Sequence, residues 1–261
     1  MATNKEHYTV LSMNFGNYEV IHPVIDKSDR ARYIMVTDDP NLVDESGTWE
    51  IVCDKSLLNI TDPFYRVIYV RNHCFQYTND DIVIKIDGSV GINKSLDDIV
   101  DKFSDGKYDL SIMLHPTRNT MFDEYSAWVG MRGYDVNNAN NILNFLANAE
   151  GYPVKDYKGL CQLCFCIQRL NTINVQINQM MWAWCCYLDG RVDQCIFSFI
   201  LQKYFPNANI MFVDQRIYQS EYFTWYQHNS NNAFAPMDVK DMIDRYWLNK
   251  KLHNVLRPQD F

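Results

Sequence analysis

A single carboxylate followed by glycine and serine ends a short apolar run near the middle of the first half of the chain. The run 82–86 reads Ile-Val-Ile-Lys-Ile, which is typical of a strand buried on both faces, and Asp87, Gly88 and Ser89 follow it. A carboxylate at a strand's carboxyl end lies at the rim where open α/β sheets bind ligands, and hard cations prefer oxygen ligands. Asp-Gly is also a common turn signal, so a plain polar turn is the alternative.

Two further polar groups follow predicted strands. Asp38 and Asp39 come after the second strand, where a carboxylate could accept hydrogen bonds from a nucleoside; an Asp-Pro turn is the alternative. The segment 115–124 follows the fifth strand and contains His115, Arg118 and two acids. Its alternative interpretation is a solvated helix start whose acids complement the helix dipole.

Polar residues also stand in the second half of the chain. Asp193 and Gln194 precede an apolar helix pattern, where a role in chemistry and a simple N-cap are both open. His228 lies among asparagines, a setting too polar for a core histidine, and it is either a loop residue or a distant metal ligand.

Composition excludes several classes of protein. The 261 residues are 47% hydrophobic, enough for a large core, and the net charge of −8 with dispersed basic residues disfavours nucleic acid as a partner. The sequence has no apolar run of about 18 residues and no signal-peptide layout, so we expect a cytoplasmic protein without a transmembrane segment. Five of the eight cysteines stand in apolar segments, and we expect these five to be buried free thiols: Cys161, Cys164, Cys166, Cys185 and Cys186. The 17 tyrosines, 14 phenylalanines and 6 tryptophans include rings that suit sugars.

Periodicity predicts an α/β protein with a mostly parallel sheet. We predict strands at 7–13, 32–37, 49–53, 82–86, 109–114, 160–170 and 210–213, although cysteines leave a helix open at 160–170. Predicted helices are a crossover at 62–77 that carries Arg66 and Arg71, a capping-box helix from Ser95 to about 103, and 137–149, 174–188, 193–204 and 238–256.

An ordered set of these motifs resembles the glycosyltransferase-like domain of plant mucilage and pectin proteins and of bacterial or viral polysaccharide loci. The resemblance covers residues 8 to about 200. It is carried by 11–18, 33–40, Trp49, 66–73, 86–90, 115–124, 151–153, 159–160, Arg169 and 182–197. More distantly, the chain is similar to glycogenin-like retaining transferases.

The resemblance implies a GT-A fold, which is a Rossmann-like mixed sheet flanked by helices. It implies one catalytic domain over 1–234, with a nucleotide-sugar half at about 1–110 and an acceptor half at about 111–234. Outside the resemblance, a C-terminal helical tail is predicted at 235–261.

The resemblance also implies roles for individual residues. Asp87 would hold Mn²⁺ or Mg²⁺, with His228 as a second ligand. Ser89 stands where the usual Asp-x-Asp motif has its second acid, and a hydroxyl is a poorer ligand for a hard dication than a carboxylate. The other implied roles are nucleotide or donor binding by Asp38, Asp39, Arg66, Arg71, Gly88 and Ser89, catalysis by Asp193 and Gln194, and sugar binding by His115, Arg118 and Trp184.

The expected function is transfer of a sugar from a nucleoside diphosphate sugar, UDP by preference, to a glycan hydroxyl in polysaccharide or glycoconjugate synthesis. Two alternatives stay open. One is a viral transferase that glycosylates a DNA base, against which the acidic balance argues. The other is a degenerate transferase that binds nucleotide or glycan without turnover, which the missing second aspartate suggests.

Overall fold

A seven-stranded mixed β-sheet organises the chain in the computed structural model, which describes residues 5–156, 159–213, 221–229 and 231–232. The strands are β1 (Tyr8–Asn14), β2 (Ala31–Thr37), β3 (Glu50–Cys53), β4 (Ile82–Ile86), β5 (Val90–Ile92), β6 (Leu110–Leu114), β7 (Cys161–Arg169), β8 (Ile210–Val213) and β9 (Phe223–Trp225). The helices are α1 (Pro63–Asn72), α2 (Asp97–Asp105), α3 (Met121–Arg132), α4 (Val136–Asn148), α5 (Thr172–Leu188) and α6 (Asp193–Tyr204).

The strand order of the large sheet is β3-β2-β1-β4-β7-β6-β8. β1 pairs in parallel with both β2 and β4, and β6 pairs in parallel with β8. β7 runs antiparallel to β4 and to β6. The predicted α/β class with a mixed, mostly parallel sheet is therefore confirmed. β5 and β9 form a separate antiparallel pair beyond the end of β4.

Helices cover both faces of the large sheet. Neighbouring strand residues point to opposite faces, so Leu11 packs in one apolar cluster with Val70 of α1, whereas Val10 packs in another with Phe103 of α2. All seven residues of β1 and all five of β4 are buried. A third cluster joins α3, α4, α5 and α6 to β6 and β7. The continuous apolar runs of the sequence are thus the central strands of a doubly covered sheet.

Most predicted elements form near the expected positions. β4 and α6 have the predicted bounds, and the segment predicted at 160–170 forms the strand β7. The crossover helix ends at Asn72, earlier than predicted, and a short 3₁₀ turn (Cys74–Gln76) follows it. The predicted capping box at Ser95 is wrong: α2 starts at Asp97, and the Ser95 hydroxyl accepts from the Asp97 amide at 3.3 Å.

Three further outcomes concern the cysteines, the termini and the membrane. All eight cysteines are free thiols, but Cys186 is exposed. Cys185 lies on the buried face of α5, and the side chain of the following residue, Cys186, points away from that face. The predicted helical tail 235–261 lies outside the described residues. Within the described ranges, no helix is long and apolar enough to cross a membrane.

Truncating the centre of β4 tests this packing. Ile84 is fully buried against the α2 side, whereas Ile25 is 69% exposed in a loop. Ile84→Ala is expected to lower the free energy of unfolding by about 2–5 kcal/mol, because it leaves a cavity. Ile25→Ala should change it by at most about 0.5 kcal/mol. Urea unfolding of both variants measures this, and equal losses would contradict the assigned packing.

Candidate active site

Polar side chains gather at the carboxyl ends of β1, β2 and β4. β1 lies between β2 and β4, so the strand order reverses direction there, and ligands of open α/β sheets bind at such switch points. Asn14 ends β1, Asp38 follows β2 and Asp87 follows β4. The rim that the sequence predicted is therefore assembled from three separate strands.

Arg71 joins two carboxylates at this rim. Its guanidinium forms an ion pair with Asp87, and its Nη1 lies 3.2 Å from the Asp193 Oδ2 atom. The side chains of Arg71 and Asp193 are 12% and 14% exposed, whereas that of Asp87 is 37% exposed. Asp87 also begins a turn, since its carbonyl accepts from the Val90 amide at 3.1 Å. Asp87 therefore begins a turn, as the alternative predicts, and also lies at the rim, while its role as a metal ligand stays a prediction.

Asp193 is the first residue of α6 but does not act as its N-cap. The N-cap is Val192, which makes no side-chain capping bond. The Asp193 carboxylate instead contacts Arg71. Burial raises the pKa of this carboxyl above its usual range, and the Arg71 charge opposes that rise.

A second chain of polar contacts begins at Gln194. Its Nε2 atom lies 3.5 Å from Oε1 of Glu124, a fully buried residue of α3. The same oxygen accepts the Trp128 indole N–H at 3.0 Å, and Arg118 forms an ion pair with Glu124. Arg118 also contacts His115. The structure thus connects Gln194, Arg118 and His115, three residues that the sequence singled out, through one buried carboxylate.

Glu124 is a residue that sequence reasoning did not assign. Two acids at the start of α3 look alike in sequence, and only Asp123 plays the helix-start role: it forms a capping box with Thr120. Burial raises the pKa of Glu124, and the charge of Arg118 lowers it. The signal that could have found Glu124 is its helical spacing from the buried Met121 and Ala127, which stand three residues before and after it on α3.

Asp38 pairs with a different arginine from Asp87. Arg66 is buried, forms an ion pair with Asp38 and donates to the Ile60 carbonyl at 2.7 Å. The Gly16 amide donates to Asp38 Oδ1 at 3.0 Å. Arg66 therefore holds Asp38 in place, as Arg71 holds Asp87 and Asp193, and the predicted donor-binding roles of both arginines stay predictions. Asp39 accepts from the Asn41 amide at 2.8 Å, as the Asp-Pro turn alternative predicts.

The turn after β4 packs closely on the segment after β1. A Cβ atom on Gly88 would lie 2.8 Å from the Met13 carbonyl oxygen and 3.0 Å from the Glu19 Cγ atom, so this position has no room for a side chain. Asn14 fixes the backbone of Glu19 through two hydrogen bonds. Neither Asn14 nor Glu19 was assigned a role from the sequence.

His228 lies at the same turn, through contact with Glu19. Its Nδ1 atom contacts the Glu19 carboxylate, which also accepts the Asn229 amide at 3.2 Å. Ser89 is buried, and its carbonyl accepts the Tyr226 amide at 2.9 Å. The antiparallel pair β5–β9 brings these late residues beside the Asp87 turn.

The described residues contain no group of three His, Cys, Asp or Glu side chains that could hold a metal ion. Magnesium is often held by one or two carboxylates together with substrate phosphates. Asp87 fits that kind of site because it is the more exposed of the two acids that contact Arg71, a group called the Arg71 cluster below. His228 contacts Glu19, so its role as a ligand stays a prediction.

Trp184 lies in a different environment. It packs edge-to-face on Phe199 and Tyr187 and tilted against Phe145, beside the helical core cluster. The predicted role of Trp184 in sugar binding therefore stays a prediction. The tryptophan that donates a hydrogen bond to Glu124 is a different one, Trp128 of α3.

The sequence matches no protein-family model, and no curated protein is similar to it at a significant level. Among solved structures, the fold is similar to the apo form of mouse xyloside xylosyltransferase 1, with a TM-score of 0.47 and 8% identity. The alignment covers 80% of this chain and 86% of that chain. A similarity at this level assigns neither a family nor an activity to this chain.

The buried imidazole of His115 gives a pH prediction. Burial and the charge of Arg118 lower the pKa of His115 to about 2, far below the usual histidine value of about 6.5. The unfolded chain therefore takes up a proton below about pH 6.5 that the folded protein does not. Stability should fall as the pH falls through this window, by up to about 1.4 kcal/mol per pH unit from this residue.

His115→Gln tests that assignment, because glutamine keeps an acceptor for the Thr117 and Arg118 amides, which His115 Nδ1 binds at 3.2 and 3.0 Å. We expect urea unfolding between pH 6.5 and 5 to show a shallower loss of stability in the variant than in the wild type. Identical pH slopes would show that His115 is not held neutral by the fold.

Proposed function

We propose that this chain is a GT-A-type glycosyltransferase that moves a sugar from a nucleoside diphosphate, UDP by preference, to a hydroxyl group of a glycan. The observation that carries the proposal is the Arg71 cluster, in which one guanidinium joins Asp87 at the sheet rim to Asp193 at the start of α6. The ordered motifs that resemble polysaccharide-locus transferases support the same reading.

The leaving diphosphate sets the first requirement. Its negative charge must be stabilised as the sugar–phosphate bond breaks. The Arg71 cluster has two carboxylates for one guanidinium, so a diphosphate there needs further positive charge. Asp87 is more exposed than Asp193 and is the acid that can exchange its partner for a dication. Mn²⁺ or Mg²⁺ held by Asp87 and the phosphates would supply that charge when bound.

The reacting sugar sets the second requirement. Asp193 is held by Arg71, and Gln194 is held by Glu124, so both side chains have defined orientations. In the described part of the chain, the Oε1 atom of Gln194 is buried and has no hydrogen-bond partner. A buried acceptor without a donor is costly, and a sugar hydroxyl would satisfy it. We propose that Asp193 and Gln194 bind the donor sugar beside its anomeric carbon.

The nucleoside would bind at the end of β2. Asp38 is held by Arg66 and by the Gly16 amide, which orients its carboxylate at the switch point. A carboxylate in this position can accept ribose hydroxyls. We also propose His228 as a second metal ligand and Ser89 as a residue that binds the nucleotide or donor.

A second candidate function is nucleotide binding without turnover. The observation that favours it is the loss of the second metal-site acid, since Ser89 stands there and its backbone carbonyl binds Tyr226. A viral DNA-base transferase has less support, because the net charge is −8.

Thermal unfolding with nucleotides tests the donor site. We expect UDP with Mn²⁺ to raise the unfolding temperature more than GDP, CMP or dTDP. A ligand at 100 times its dissociation constant adds about 2.7 kcal/mol to the free energy of unfolding. Asp87→Asn should abolish the rise. Asp29→Asn, an exposed acid in the turn before β2, is the matched control and should keep it.

Each contrary outcome has a defined meaning. A UDP-induced rise that is equal with and without Mn²⁺ would contradict the role of the cation but would still support the nucleotide site. No shift with any of the four nucleotides would contradict the donor site itself.

A further inference from the structure

A polar cleft opens beside the candidate active site, between α3, α4 and the turn that joins α5 to α6. Its volume is about 550 Å³, within the range of about 300–1,000 Å³ that small-molecule sites occupy. The residues that matter most in its lining are Trp128, Tyr134, Asn138, Asn141, Asp189 and Arg191. None of these residues was assigned a role from the sequence.

Asp189 is the centre of the cleft's hydrogen bonding. Its Oδ2 atom accepts the Tyr134 hydroxyl at 3.1 Å and the Asn138 amide at 3.2 Å, while its Oδ1 atom accepts the Tyr65 hydroxyl at 3.2 Å. The backbone of Asp189 is at φ +69° and ψ +95°, a conformation that L side chains rarely adopt. Such a conformation persists only where the surroundings fix it, and it is common at ligand sites.

The chemistry of the lining favours a neutral ligand with many hydroxyl groups. The two arginines of the lining are already engaged: Arg132 stacks over the Trp128 ring at 4.6 Å, and Arg191 pairs with Asp62 at 3.4 Å. The acids Asp135 and Asp189 balance the charge of these two arginines, so the lining offers a phosphate or an acidic sugar no net positive charge. Amides and carboxylates suit sugar hydroxyls, because they offer donors and acceptors without excess positive charge.

Two connections join the cleft to the Arg71 cluster. Trp128 lines the cleft and donates its indole N–H to Glu124, the carboxylate that also contacts Gln194. The 3₁₀ turn Gly190–Val192 leads from Asp189 directly to Asp193. Four residues of extended chain span at most about 14 Å, so the Cα atoms of Asp189 and Asp193 lie within that distance.

We infer that this cleft binds the acceptor, a neutral oligosaccharide whose reacting hydroxyl points toward Asp193 and Gln194. The inference rests on the proposed transferase function. It gives acceptor binding to Trp128, Asn138, Asn141 and Asp189 of the cleft. The order of the elements is consistent with the predicted acceptor half at 111–234.

Saturation-transfer NMR with four neutral tetrasaccharides tests the inference on the whole chain. The probes are maltotetraose, cellotetraose, xylotetraose and mannotetraose, with tetragalacturonate as the acidic comparison. We expect saturable binding of at least one neutral probe and none of tetragalacturonate. Stronger binding of tetragalacturonate, or no binding of any neutral probe, would overturn the inference.

Two asparagines of α4 locate the binding. Asn141 is exposed and lines the cleft, whereas Asn148 is exposed on the same helix and is not among the cleft residues. Asn141→Ala should weaken tetrasaccharide binding about tenfold through lost hydrogen bonds, and Asn148→Ala should not change it. Equal affinity in the two variants would place the sugar elsewhere and overturn the assignment.

The UDP shift separates this inference from the proposed function. In Asn141→Ala, stabilisation by UDP should equal that of the wild type. Stabilisation by UDP without any tetrasaccharide binding would contradict acceptor binding in the cleft but would still support the donor site. Tetrasaccharide binding at Asn141 without any nucleotide binding would leave a glycan site and remove the transferase.

Discussion

The position of Arg71 is the constraint on which the candidate site depends. Its carbonyl accepts the Nζ of Lys85, a buried residue of β4, at 3.2 Å, and Lys85 in turn donates to Gln168 of β7 at 2.6 Å. The guanidinium at the other end contacts Asp87 and Asp193. One residue at the end of α1 is thus bound at its backbone and at its side chain. The Arg71–Asp193 pair is largely enclosed, and removing one partner of such an ion pair typically costs about 3–5 kcal/mol.

The two carboxylates of the Arg71 cluster differ in their exposure to solvent. Asp193 is enclosed with Arg71, while Asp87 stays more exposed at the rim. Glu124 forms the next layer: it holds Gln194 on one side, Arg118 on another and Trp128 on the third. A charge this deep needs these partners, because an unpaired buried carboxylate would take up a proton or destabilise the fold. Gln194 of the candidate site and Trp128 of the proposed acceptor cleft therefore share one carboxylate.

Local sequence patterns predicted the sheet and much of its rim, whereas the contacts between distant residues were not predictable. The apolar run at β4 and the pattern of α6 gave their bounds, and strand ends identified Asp38 and Asp87. That Asp38 would hold Arg66, or Asp87 hold Arg71, depends on how α1 packs on the sheet. The pairing of β5 with β9 joins three-residue strands that lie far apart in the sequence, which no local signal specifies. Glu124 looks like a helix-start acid in sequence, and only tertiary packing buries it.

Release of UDP from sugar nucleotides tests the central claim most directly. The wild-type chain, given a panel of UDP-sugars with Mn²⁺ and neutral tetrasaccharides, should release UDP from at least one donor. Asp193→Asn should still be stabilised by UDP but release it at least about 100-fold more slowly, because a group at the reacting centre is lost. Asp29→Asn should match the wild type. No release from any donor by the wild type, or equal rates in Asp193→Asn, would contradict the account.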